Sequence, residues 1–150
     1  MSFWNSLRIS ASGLSAQRLR LDLISNNIAN AQTTHTAEGG AYKRQDVVFM
    51  QDGSNGFVPA SLSSSAVPGR GQNATGGVRV AQIVTDGSEG STVYDPTHPD
   101  ADENGYVTMP NVNLVVEMTN MLSATRSYEA NLTVVEASKR MALKALDIAR

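Results

Sequence analysis

The residues best able to do chemistry gather in one acidic loop, Asp95 to Gly105. Asp100, Asp102 and Asn104, followed by Gly105, spell the first half of an EF-hand calcium loop, in which alternate oxygen-bearing side chains converge on the ion. The position that would supply the closing bidentate glutamate holds Asn111, behind Pro110, and Asp95, Pro96 and Pro99 forbid an entering helix. The competing reading is a turn built on Asn-Gly geometry. His98 stands among Asp95, Asp100 and Asp102, where an imidazole and carboxylates could share a metal or a proton. A histidine between two prolines in an acidic loop is more often simply exposed, and His35 also falls in a loop. No nucleophile elbow, P-loop or dinucleotide fingerprint is present; Gly69 to Gly77 lacks both phosphate-binding spacing and a following helix. With no cysteine, thiolate nucleophiles, zinc–thiolate centres and disulfides are excluded. The sequence predicts no catalytic, metal or cofactor-binding residue, hence no enzyme.

The elements that must position this loop are more telling. Leu7, Leu14, Leu21 and Ile28 recur every seventh residue near the N-terminus, flanked by Trp4, Ala11 and Ile24. Near the C-terminus Leu114, Met121, Tyr128, Val135, Ala142 and Ala149 do the same, with Met118, Thr125, Leu132 and Leu146 between them. Such stripes bury only against other helices. The spacing predicts one helix from about Ser6 to between Asn27 and Asn30, and a second from Asn111 or Asn113 to the C-terminus. Gly13 inside the first costs about 1 kcal/mol relative to alanine, so packing must hold that helix. Asn26, Asn27 and Asn30 suit the left-handed geometry of a helix end. Asn111 or Asn113 can cap the second, with Glu117 in its first turn where the dipole favours an anion.

Between the helices the pattern is β-like but weak. Tyr42 to Met50, Val78 to Thr85, Ser91 to Tyr94 and Tyr106 to Met109 read as short strands, and the alternation slips at Ala81, as at a bulge. Asp52 to Gly77 is Gly, Ser, Ala, Asn and Pro, and reads as a flexible loop. The fold class is therefore α+β: long terminal helices packing in coiled-coil fashion around a small β-rich centre. The divisions fall at 1–35, 36–110 and 111–150.

Charge adds little to this. The net charge of −2 divides into +2, −5 and +1 over those three segments, so no basic footprint for nucleic acid exists. No run of about 20 apolar residues could insert in a membrane. No cleavable export signal is visible, because Asn5, Arg8, Ser10 and Ser12 interrupt any apolar core. A final helix of about 37 residues would reach about 55 Å, whereas a globule of this length is about 40 Å across. An apolar stripe that outreaches its own domain implies partners, and we weight packing between molecules above a private core.

Several stretches resemble a known family. Ile24 to Asn30 reads ISNNIAN, with Ser25, Asn26, Asn27 and Asn30 as its polar members. Thr33, Thr34, Gly39, Gly40 and Tyr42-Lys43-Arg44 follow it. YDPTHPDADENGYV (94–107), PNVN (110–113), TRSYEAN (125–131, with Tyr128, Glu129 and Asn131) and MALKALDIAR (141–150) complete the set. The chain is similar to the rod and hook family of bacterial flagellar axial proteins, and among them to proximal rod subunits. Two departures are small: Ala41 replaces a frequent proline, and Leu114-Val115-Val116-Glu117 lacks a frequent second glutamate.

The resemblance implies a structural subunit of the proximal rod in the periplasm, serving as drive shaft and export conduit. It implies export through the flagellar type III apparatus without a cleaved signal. Its partners would be further copies of itself, other rod proteins and adjoining basal-body components. Leu7, Leu14, Leu21, Ile28, Leu114, Met118, Met121, Tyr128, Leu132, Val135 and Leu146 are the expected assembly interface. The alternatives are another rod subunit, with the short centre arguing against a distal one, and a cytoplasmic helical adaptor or export chaperone.

Overall fold

A computed structural model describes residues 3–37, 39–52 and 76–148, Phe3 by its backbone alone. The loop expected over 52–77 lies outside them except at its ends. Two helices, α1 (Phe3–Ala29) and α2 (Leu114–Ile148), enclose four strands: β1 (Gln45–Gln51), β2 (Val78–Thr85), β3 (Thr92–Tyr94) and β4 (Tyr106–Thr108). The strands pair antiparallel as two separate two-stranded sheets, β1 with β2 and β3 with β4. The α+β class with long terminal helices and a small β centre is the one expected.

The helices run antiparallel. Gly13 of α1 lies against Asn131 of α2, while Asn27, farther along α1, meets Glu117, nearer the start of α2. Small and polar side chains fill this seam. On α1 they are Ser10 and Ala16, with Ile24 and Asn27; on α2 Glu117, Ala124 and Ser138 are buried, with Asn131 half-buried in the same seven-residue column. Small residues let two helix backbones approach closely. Gly13 marks a close approach, since a Cβ there would stand 3.2 Å from the Asn131 amide nitrogen. The glycine that weakens α1 as an isolated helix is thus the one that admits its neighbour. Thr119, Thr125, Ser127, Asn131 and Thr133 each bond the carbonyl four residues back, which satisfies their polar groups within the helix.

The β1–β2 ribbon lies along α1. At one end Gln45 of β1 bonds Asn27; at the other the Val78 N–H donates to Ser12 Oγ at 3.1 Å. The interval from Ser12 to Asn27 is about 22 Å of helix, and β1 spans about 20 Å, so the ribbon is pinned near both ends. Between Val48 and Phe49 the register shifts, leaving Ala81 of β2 without an opposite residue. This is the bulge expected there. β1 begins at Gln45 rather than Tyr42 because the preceding N–H groups bond elsewhere, Tyr42 to the Thr33 carbonyl and Arg44 to Asn111.

Both helix ends refine the sequence reading. α1 starts at Phe3, ahead of Ser6. Among the described residues only Gly39, Gly40 and Gly105 have positive φ, so the asparagines ending α1 do not use left-handed geometry. They act through side chains instead: Asn30 Nδ2 donates to the Asn26 carbonyl and to Asn26 Oδ1, and Thr33 Oγ1 donates to Asn30 Oδ1. At the start of α2 the Asn113 side chain accepts the N–H groups of Val115 and Val116, a cap of the kind expected.

Gly90 tests this architecture locally. A Cβ there would overlap the Met109 carbonyl oxygen, which is backbone and cannot swing aside. Gly90→Ala must shift the chain leading through Pro110, which is buried, to Asn111. The expected loss is about 1–3 kcal/mol of stability, by analogy with overpacked cores. It should be read as a lowered urea midpoint with the unfolding slope unchanged.

A buried polar joint and an uncovered helix face

Three parts of the chain meet where Asn27 touches Glu117. Both side chains are fully buried, so every polar atom on them needs a partner. Asn27 finds four: Nδ2 donates to the Gln45 carbonyl at 2.8 Å and to Glu117 Oε2 at 3.1 Å. Its Oδ1 accepts from Tyr42 O–H at 2.9 Å and Gln45 N–H at 3.0 Å. That is the full capacity of an amide. By gripping both backbone groups of Gln45, the side chain stands in for a strand partner at the start of β1.

Glu117 Oε1 accepts from Arg44 Nε at 2.8 Å, pairing the charge of Glu117 with a guanidinium whose side chain is 22% exposed. The Arg44 N–H donates to Asn111 Oδ1 at 2.8 Å, and Asn111 Nδ2 reaches the Asp86 carbonyl at 3.3 Å. Asp86 N–H closes the circuit onto the Arg44 carbonyl at 2.8 Å. One cluster therefore ties α1, α2, β1 and the segments after β2 and β4.

Burial, reinforced by the Glu117 carboxylate, pushes the Tyr42 phenol above its usual range. The hydrogen bond to Glu117 raises Arg44, outweighing burial, so its charge is secure. A phenol held protonated by the fold contributes stability that is present below its ordinary value near 10 and is lost as pH climbs through the raised value. The urea midpoint should fall from about pH 10 upward, and Tyr42→Phe should make that fall shallower. An equally steep fall in the variant would place the alkaline sensitivity elsewhere.

The acidic loop behaves as a turn. Gly105, at φ 79°, lets the Gly105 N–H reach the Asp102 carbonyl at 2.8 Å, and the Asp102 N–H returns to the Tyr106 carbonyl. Asp95 Oδ1 accepts both the N–H and the hydroxyl of Thr97, which hold its carboxyl below the usual range. Asp100 accepts the Thr34 hydroxyl at 2.7 Å, tying the loop to the segment after α1. His35 and His98 lie 4.0 and 3.9 Å from the Asp100 carboxylate, and His98 Nδ1 accepts the Asp100 N–H. Among the described residues no group of three histidine or carboxylate side chains is placed to hold a metal.

The expected interface residues divide. Leu7, Leu14, Leu21 and Ile28 on α1, and Met121, Tyr128 and Val135 on α2, are half-buried beside the polar seam. Leu114, Met118, Leu132 and Leu146 are 48, 59, 41 and 67% exposed. With Val115 and Leu122 they form an apolar strip on α2 that none of the other described elements covers: the ribbon packs on α1, and Leu146 lies past the stretch of α2 that α1 accompanies. Ser25, Asn26 and Glu129 are exposed, Asn30, Tyr42 and Asn131 half-buried, Asn27 wholly buried. Among the described residues no helix is long and apolar enough to cross a membrane.

Known proteins match this sequence along its whole length. Residues 7–34 match the family "Flagella basal body rod protein", and 103–148 match "Flagellar basal body rod FlgEFG protein C-terminal". The flagellar basal-body rod protein FlgC of Borreliella burgdorferi is 47% identical over 157 residues, covering 99% of this chain and 98% of that one. The chain belongs to the FlgC family of flagellar basal-body rod proteins. The FlgC of Bacillus subtilis is 44% identical with both chains wholly covered, and that of Salmonella typhimurium 40% over 99% of this chain.

The two family matches divide the joint of this FlgC-family chain between them. Asn27 lies in the first, Asn111 and Glu117 in the second, and Tyr42, Arg44 and Gln45 fall between. In the sequence Asn27 and Tyr42 stand out by resemblance, and Glu117 by its place in the first helical turn, but nothing local pairs them. Arg44 and Asn111 as joint members, and Ser10, Gly13, Ala124 and Ser138 as the seam, were missed. Small residues at seven-residue spacing around a lone glutamate in an apolar run were the available signal.

Proposed function

We propose that the chain is a structural subunit of the proximal rod of the flagellar basal body, and that it performs no catalysis. The observation that carries this is full-length kinship with FlgC proteins in a chain whose longest helix exposes an apolar strip. Burying one leucine-sized side chain is worth about 1.5–3 kcal/mol, so several on one strip can hold a neighbour firmly. Segments 1–35 and 111–150 form the inner tube, and 36–110 the outer β-rich part. Further copies, other rod proteins and adjoining basal-body components cover the strip. The assembly residues are those of the two apolar columns, with Met118, Leu122 and Leu132 at their centre.

A chain that leaves the cell through the flagellar type III apparatus must be threaded unfolded. The absence of cysteine suits that route. The test is the native chain in purified basal bodies, analysed by mass spectrometry. It should be present there with its N-terminal segment intact. Recovery only from the cytosol would support an adaptor or chaperone instead, and a trimmed N-terminus would refute export without cleavage.

A further inference from the structure

The joint has a property that assembly alone does not require: it is the place where both sheets are fastened to the helix pair. Asn27 holds the start of β1, Arg44 holds Glu117, and the Arg44 backbone is bonded through Asn111 to the turn after β2. Asn111 also lies three residues past the end of β4. A two-stranded sheet is at best marginally stable by itself, and β2, β3 and most of β4 are exposed. Their direction must therefore come from their attachments.

Beyond this joint the ribbon packs along α1, but the hydrogen-bonded attachments are few: Val78 to Ser12 for the ribbon, and Thr34 to Asp100 for the β3–β4 hairpin. The four bonds on Asn27 and the paired charge of Glu117 are of another kind, because they are buried, fully satisfied and shared among elements. Such a node permits one arrangement, since any rotation of β1 about α1 strands a buried donor or acceptor.

We propose that the Asn27–Glu117–Arg44 joint is the rigid coupling that fixes the β1–β2 ribbon relative to the helix pair. In the rod, torque carried by the inner helices would pass through it to the outer sheets; that consequence rests on the rod-subunit reading, whereas the coupling is a property of the chain alone. Glu117→Gln is the sharpest perturbation. An amide of the same shape offers one acceptor and one donor where Asn27 and Arg44 both donate.

Because the chain has no cysteine, spin labels can be placed at will. Gln82→Cys on β2 and Thr133→Cys on α2 are both at exposed positions. Double electron–electron resonance on the labelled full chain, diluted with unlabelled chain, reads the distance between them. The expected result is a single distance population, lost in Glu117→Gln and retained in Ala124→Gly, which weakens α2 away from the joint. A single population that survives Glu117→Gln overturns the proposal. So does equal loss in Ala124→Gly, since the ribbon would then merely follow helix stability. If circular dichroism shows that Glu117→Gln does not fold, Tyr42→Phe, which deletes one bond to Asn27, is read by the same criteria. Absence of the chain from basal bodies would refute the rod reading and leave this measurement untouched.

Discussion

Arg44→Met should destabilise the folded chain by about 3–5 kcal/mol, the range for stripping one partner from a buried ion pair. The reason lies in which partner remains. The Glu117 side chain is 1% exposed, so its carboxylate cannot turn to water when the guanidinium is gone. The weak bond from Asn120 at 3.4 Å and the one from Asn27 do not replace a charge. A domain has about 5–15 kcal/mol to lose, so the variant should sit near the edge of folding. Removing the other partner is milder, because the Arg44 side chain is 22% exposed and can hydrate. Arg44→Lys keeps the charge but not the Nε–H geometry, and should fall between. Urea unfolding of the three proteins checks the order: wild type, then Lys, then Met. Equal midpoints would show that the pair is solvated in solution.

Leu132→Asp should have the opposite signature, a folded chain that cannot assemble. Leu132 is 41% exposed and stands on the uncovered strip with Met118 and Leu122. In the free chain the new carboxylate meets water, so the change in stability should stay within about 0.5 kcal/mol. In an assembled tube it would replace an apolar contact of about 1.5–3 kcal/mol and bury an unpaired charge, at several kcal/mol more. Cells carrying only this variant should not swim, and purified basal bodies should lack the rod. Thr133→Asp, one residue on, lies in the exposed polar column of Thr119, Arg126 and Arg140 and should be nearly silent. Immunoblots of subunit level separate failed assembly from degradation. Normal swimming with Leu132→Asp would remove the strip from the interface.

These contrasting variants mark what the sequence could and could not say. Periodicity located α1, α2 and all four strands within a few residues, and the broken alternation at Ala81 was enough to place a bulge, because these features are written in neighbouring side chains. The choice of partner face was not local. Large leucines dominate any hydropathy pattern, yet α1 and α2 meet through Gly13, Ala124, Asn131 and Ser138, where low volume rather than apolarity decides how near the backbones come. Asn27 was read as a helix-end residue because asparagine is poor inside helices. Its partner Glu117 is 90 positions away, and no local rule pairs them. The acidic loop was legible as a turn, because Asn111 stands where a calcium loop needs its closing glutamate and Asn104-Gly105 favours tight turns, which Gly105 makes with φ 79°.

In the proposed rod, the apolar strip of α2 would be a seam between subunits. A reconstruction of isolated basal bodies that resolves side chains in the rod tests it most directly. Met118, Leu122 and Leu132 should be buried against neighbouring subunits, with the β1–β2 ribbon turned outward and Asn27 still bonded to Glu117 within each chain. A rod in which those three side chains face open solvent, while neighbours touch only through the sheets, would contradict the account.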